Sequence, residues 1–153
     1  MTNIGISKNR VIERTLDKFW ETVPPLWGTI RAHIRAVATE NFDISVEQFH
    51  ILRFIRRGHC SVSELADARN ISRPAVSQGV DALVNKGLVT RTQGKEDRRY
   101  VELELTPEGN ALLDSVFQNT REWMRESLEG FSHEELELAI RGMEVLKKMI
   151  DSK

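Results

Sequence analysis

Apolar residues recur along most of this chain at steps of three or four, the period of one face of an α-helix. Ile12, Leu16, Phe19, Val23, Leu26, Ile30, Ile34 and Val37 form the first such stripe. A helix over residues 10–39 would run roughly 45 Å at ~1.5 Å per residue. Pro24 and Pro25 lie inside it. Each lacks an N–H, and Pro25 disfavours helical geometry at Pro24, so a kink or break is expected there. Three further helices start with the same chemistry. Ser45-Val-Glu-Gln48, Ser61-Val-Ser-Glu64 and Ser132-His-Glu-Glu135 match the capping box, in which the Ser oxygen and the Glu or Gln side chain each satisfy a free N–H. Apolar residues at helical spacing follow each box. Thr106-Pro107 opens another helix, with Thr as cap and Pro in the first turn. Gly58, Gly87 and Gly130 fall where the preceding helices should stop.

The period changes between residues 88 and 105. Leu88-Val-Thr-Arg-Thr92 is β-branched and alternating, and Tyr100-Val-Glu-Leu-Glu-Leu105 alternates apolar residues with Glu102 and Glu104. The two runs predict a β-hairpin with one wet face, and the charged, Gly-containing segment Gln93-Gly-Lys-Glu-Asp97 is its tip. Before the hairpin, a helix from Ser61 ends near Asn70. A short polar turn leads to a second helix, with Ser72 as cap and Pro74 in its first turn. Two helices so joined are a helix-turn-helix. Val76, Val80, Leu83 and Val84 supply an inner face, with Ala75 counted on it, while Arg73, Ala75, Ser77, Gln78 and Asp81 make the leading face small and polar. Such a helix can enter a DNA major groove. Ser72 and Ser77 suit phosphates, Gln78 suits adenine, and Arg73 suits guanine or phosphate. Lys86, Arg91, Lys95 and Arg98 are candidate phosphate or groove contacts. Arg98 and Arg99 are adjacent on a strand edge and point to opposite sides. One can face DNA while the other braces the hairpin.

Composition narrows the class. The chain has 153 residues, 40% hydrophobic and 29% charged, which fits one globular domain with an added helical element. No apolar run nears the ~18 residues that span a bilayer, no secretory leader is apparent, and the lone Cys60 cannot staple a fold. A reducing cytoplasm is the expected location. The net charge of −1 is unevenly spread: residues 1–68 carry +1, residues 69–100 carry +4 and residues 101–153 carry −6. A basic middle beside an acidic end suits localised contact with a polyanion.

The recognition-helix stretch from Ser72 to Arg91, the wing segment Glu96-Asp-Arg-Arg99 and the Leu105-Thr-Pro-Glu-Gly109 start of the next helix resemble, in order and spacing, the MarR family of winged helix-turn-helix transcription regulators. The resemblance covers about residues 10–150. It implies a mainly α fold with a small β-hairpin wing and long terminal dimerisation helices. It divides the chain into an N-terminal dimerisation helix over 1–40, kinked near Pro24-Pro25, a winged DNA-binding lobe over 41–105 and C-terminal dimerisation helices over 106–153. It further implies that Asp81 pairs with Arg99, that Asp97 helps to brace the wing, and that Arg98 reaches the minor groove. A homodimer is also expected from the residues themselves, because Phe117, Trp123, Met124, Leu128, Phe131, Met143 and Met149 are more apolar surface than a small lobe can cover.

The expected function is therefore a dimeric, sequence-specific DNA-binding regulator, a repressor, on a pseudo-palindromic duplex site. Relief by a small aromatic or anionic effector is implied by the resemblance, with Trp20, Trp27, His33, Phe49, His50 and Phe54 as lining residues. Two alternatives use the same fold: a winged-helix protein-interaction module that never touches DNA, and a redox or metal sensor using Cys60. Cys60 reads better as a small apolar filler. The four histidines lack metal-ligand spacing, so neither metal nor cofactor is expected. With no nucleophile elbow, phosphate loop or HExxH segment, the chain is not expected to be an enzyme.

Overall fold

The structure, a computed structural model, describes residues 3–58, 61–94 and 101–151. Six helices and one hairpin follow in the order α1 (Asn3–Phe42), α2 (Val46–Arg56), α3 (Val62–Arg69), α4 (Arg73–Asn85), β1 (Val89–Gln93), β2 (Val101–Leu105), α5 (Pro107–Leu128) and α6 (His133–Asp151). The capping boxes predicted at Ser45 and Ser61 both close, with Gln48 and Glu64 as the reciprocal partners. At Ser132, Glu135 takes the backbone N–H of Ser132 and gives its own N–H to the serine oxygen. The Ser132 N–H, and then the Ser132 hydroxyl at 2.9 Å, donate to the Glu135 carboxyl and hold it below its ordinary pKa.

Of the kink or break expected at Pro24-Pro25, the break does not occur. α1 continues through both prolines for 40 residues, about 60 Å. The two missing N–H groups would have bonded to the carbonyls of Trp20 and Glu21, and both residues are exposed, so water can serve those carbonyls instead. The helix also extends further at both ends than the 10–39 expected from its apolar stripe.

The core is built around α2, α4 and the hairpin. Phe49, Leu52, Leu65, Val76, Val80, Leu83, Val89, Leu103, Leu113 and Val116 are its largest fully buried side chains. β1 and β2 are antiparallel, with Val89 opposite Leu105, Arg91 opposite Leu103 and Gln93 opposite Val101. The chain divides into two compact units, residues 1–120 and 121–153. The first half of α5 joins the winged lobe because Leu112, Leu113, Val116 and Thr120 are buried, the three apolar ones within its core. In the second unit, α6 has no buried residue.

Two glycines set the packing of the lobe. A Cβ on Gly79, in the middle of α4, would lie 2.5 Å from the Ile51 side chain of α2. Glycine in a helix interior costs about 1 kcal/mol relative to alanine, and here it lets α2 and α4 come close. At the start of α5, a Cβ on Gly109 would press into the carbonyl oxygen of Leu88. Thr106 locks the same junction. Its hydroxyl donates to the Gly87 carbonyl at 2.7 Å and accepts the Gly109 N–H at 3.0 Å, and its own N–H donates to Leu88 O at 3.1 Å. The Leu105-Thr-Pro-Glu-Gly109 segment thus ties the end of the hairpin to both the exit of α4 and the entry of α5.

Candidate nucleic-acid interface

The turn between α3 and α4 is made by Asn70, Ile71 and Ser72. Asn70 takes a left-handed conformation with φ of 52° and closes α3 by donating its N–H to carbonyls of the last turn. Asparagine tolerates this region better than most side chains. Ser72 is extended and accepts the Ala75 N–H at 3.4 Å, and Pro74 occupies the first turn, where no helical N–H partner is needed. Val76, Val80 and Leu83 anchor α4 inward. Arg73, Pro74, Ala75, Gln78 and Asp81 are exposed, and Ser77 is half-buried. Ala75 belongs wholly to the outward face, not to the inner face on which it was also counted. Its small methyl leaves room for a duplex beside Gln78, and positions 74, 78 and 81 follow helical spacing along one line.

The cationic candidates divide. Lys86 is the C-cap of α4, roughly 20 Å along the helix from Ser72. Its ammonium donates to the backbone carbonyl of Asp43 and lies 3.5 Å from that carboxylate. Lys86 thus ties the end of α4 to the α1–α2 junction. A cation at a helix C-terminus is also favoured by the dipole there. Arg91 is likewise engaged, its guanidinium 2.6 Å from the carboxylate of Asp81. Register explains this. Arg91 sits opposite Leu103, which is 1% exposed. Directly opposed residues of an antiparallel pair share a face, so Arg91 projects from the side of the hairpin that packs inward. Thr90, Thr92, Glu102 and Glu104 share the other face.

Lys95, Asp97, Arg98 and Arg99 lie outside the described residues, as does Cys60. The pairing of Asp81 with Arg99 therefore falls there too, while Asp81 itself is clamped to the hairpin through Arg91.

Several partners were missed by sequence reasoning because they are distant in the chain. Arg69 reaches Glu47 with one nitrogen at 2.8 and 3.0 Å from the two carboxylate oxygens and lies 5.9 Å from the Phe54 ring, joining α3 to α2. Arg56 pairs with Asp114 of α5 at 2.6 Å. The Arg53 guanidinium lies beside the Phe49–Phe117 ring pair, at 5.7 and 5.9 Å from their centroids, and its burial lowers its pKa. Long charged side chains at this helical spacing gave no signal of which element they would meet.

The six residues proposed to line an effector site are dispersed within one chain. Phe49 is fully buried in the core, with the His50 ring at 6.1 Å, and Phe54 packs at the core's edge. Trp20 and Trp27 are 68% and 51% exposed on α1. Trp20 stands thirteen residues from the half-buried His33, about 20 Å along the helix. Burial, and then the nearby Arg69 guanidinium, lower the pKa of His50 against the opposing pull of Glu47.

A helix-turn-helix followed directly by a two-stranded hairpin that packs on its second helix defines a winged helix protein. Comparison with known proteins shows what the chain is similar to. Residues 42–99 match the family model of the MarR family. MdtR of Bacillus subtilis, an HTH-type transcriptional repressor, is 30% identical over 98 residues, which cover 63% of each chain. PecS of Dickeya dadantii, an HTH-type transcriptional regulator, is 33% identical over 98 residues, covering 61% of this chain and 59% of that one. The match thus spans less than two thirds of these relatives. Among solved structures, the transcriptional regulator Tm0710 from Thermotoga maritima superposes with a TM-score of 0.82 at 21% identity, over 89% of this chain and 96% of that one. A variant of S. aureus MepR bound to an oligodeoxyribonucleotide gives a TM-score of 0.64 at 26% identity, over 86% and 97%. Over residues 42–99 the chain is thus similar to the MarR family, and its fold is that of the winged helix-turn-helix structure it superposes on.

Proposed function

We propose that this chain is a homodimeric, sequence-specific DNA-binding repressor of the cytoplasm that reads a pseudo-palindromic duplex. One observation carries the reading: the Ser72-capped α4 turns Arg73, Pro74, Ala75 and Gln78 outward while the hairpin is clamped against the same helix. That arrangement lets the helix enter a major groove while the hairpin tip, with Lys95 and Arg98, reaches the adjacent minor groove. Arg73, Ser77 and Gln78 read base edges, Ser72 and Ser77 also suit phosphates, and Pro74 and Ala75 complete the outward first turn. The names of MdtR and of the oligonucleotide-bound MepR variant support repression and DNA binding. No described helix is long and apolar enough to cross a membrane. A small aromatic or anionic effector relieves repression by binding more tightly to a dimer whose lobes are spaced wrongly for DNA; without that difference in affinity it would shift nothing.

Selection of bound duplexes from a random pool tests the core of this reading. The expected outcome is a two-fold symmetric consensus with half-sites about 10 base pairs apart, centre to centre, and an affinity that falls steeply with salt. Failure to enrich any sequence, with binding no stronger than to random duplex, would overturn it.

A further inference from the structure

Asp81 poses an electrostatic problem. It follows Gln78 by three residues on the exposed stripe of α4, so its carboxylate stands on the surface that would meet a polyanion. Arg91 answers it from the hairpin at 2.6 Å, and both side chains keep part of their surface in water, at 38% for Arg91 and 53% for Asp81. The Arg91–Leu103 register fixes the direction of the guanidinium toward α4. We infer that Arg91 is a positioning residue for DNA binding: it acts through Asp81, setting the hairpin on the recognition helix and neutralising that carboxylate, and it is not itself a phosphate ligand. The inference rests on the DNA-binding reading above.

The two roles leave different thermodynamic signatures. A residue acting only through its partner has no effect once the partner is removed. A phosphate ligand keeps its contribution whatever stands at position 81, and its loss lowers the salt slope by about one. The experiment measures affinity for the selected duplex over a range of salt for the wild type, Arg91→Ala, Asp81→Asn and the double variant, with a melting curve for each. An exposed pair contributes little to stability, so all four are expected to melt close together. Arg91→Ala is expected to bind roughly tenfold more weakly, the scale of coupling between contacting residues. The double variant is expected to match Asp81→Asn, with the salt slope unchanged throughout. If Arg91→Ala costs the same factor in the Asp81→Asn background, or lowers the slope by about one, the inference fails. Arg91→Lys keeps the charge but loses the planar fork, and it serves the same comparison should the alanine variant melt early. A wild type that binds no duplex would instead refute the underlying reading.

Discussion

Gly109 shows how a single position can be settled by its neighbours' backbone. Its missing Cβ is what allows α5 to start against the Leu88 carbonyl, where Thr106 bonds to residues 87, 88 and 109. Gly109→Ala must push apart the end of α4, the hairpin and α5, since a carbonyl oxygen in a hydrogen-bonded turn cannot rotate away as a side chain can. Overpacking of this kind costs about 1–3 kcal/mol, and urea denaturation of the variant is expected to show a loss in that range; unchanged stability would mean that the junction is looser than drawn. The glycine was visible in the sequence, but its reason was not, because the contact spans 21 residues of chain. The cations tell the same story. Sequence identified Lys86 and Arg91 as basic residues near the recognition helix, yet a charge carries no record of its partner. Asp43 and Asp81 hold them, and only the fold brings those carboxylates into reach. Where the partner was local the reading succeeded, as at Ser45, Ser61 and Thr106, because a cap bonds three residues away along the same chain.

At the scale of elements, periodicity was decisive where an element has one wet face. The alternation in Val101-Glu-Leu-Glu-Leu105 fixed both the strand and the burial of Leu103. The same register later explained Arg91. α1 went less well, because local rules weigh prolines heavily and cannot see how much helix stands on either side to carry the chain across them. Thr29 adds a local bond, its hydroxyl donating to the Pro25 carbonyl at 3.1 Å, yet the two prolines still remove two backbone donors from the helix interior. Replacing both by alanine returns those donors and removes the ring clashes. A proline in a helix interior costs up to about 3 kcal/mol, and part of that is already relieved by the exposed setting of Trp20 and Glu21. The double variant is therefore expected to gain about 1–3 kcal/mol, read as a higher melting temperature with unchanged helix content by circular dichroism. A lower melting temperature would show that the proline rings contribute more to the protein than their missing donors cost.

At the scale of the whole molecule, the apolar surface left uncovered by one chain bears on the proposed dimer. Val11, Ile12, Leu16, Leu26 and Trp27 are between 44% and 57% exposed on α1, and Leu138, Ile140, Met143, Met149 and Ile150 between 46% and 75% exposed on α6. Large exposed apolar patches mark association sites, and because most helical stability in proteins comes from packing an amphipathic face, a helix with no buried residue calls for a partner. A second copy offers the same two surfaces, and closed two-fold pairing is the commonest way to cover them. The winged lobe does not depend on this face, since its buried core includes no residue of α6. Charging the face should therefore separate assembly from folding. Ile140→Glu with Met143→Glu is expected to turn a dimer into a monomer by sedimentation equilibrium, while the lobe keeps its hydrogen-exchange protection. Because two linked half-sites gain on the order of 10²–10⁴ over either alone, the same variant should lose affinity for a two-fold duplex by a comparable factor, yet bind a single half-site as the wild type does. A variant that remains dimeric would move the interface elsewhere on the chain, and one that binds both duplexes as the wild type does would show that a single lobe suffices for recognition.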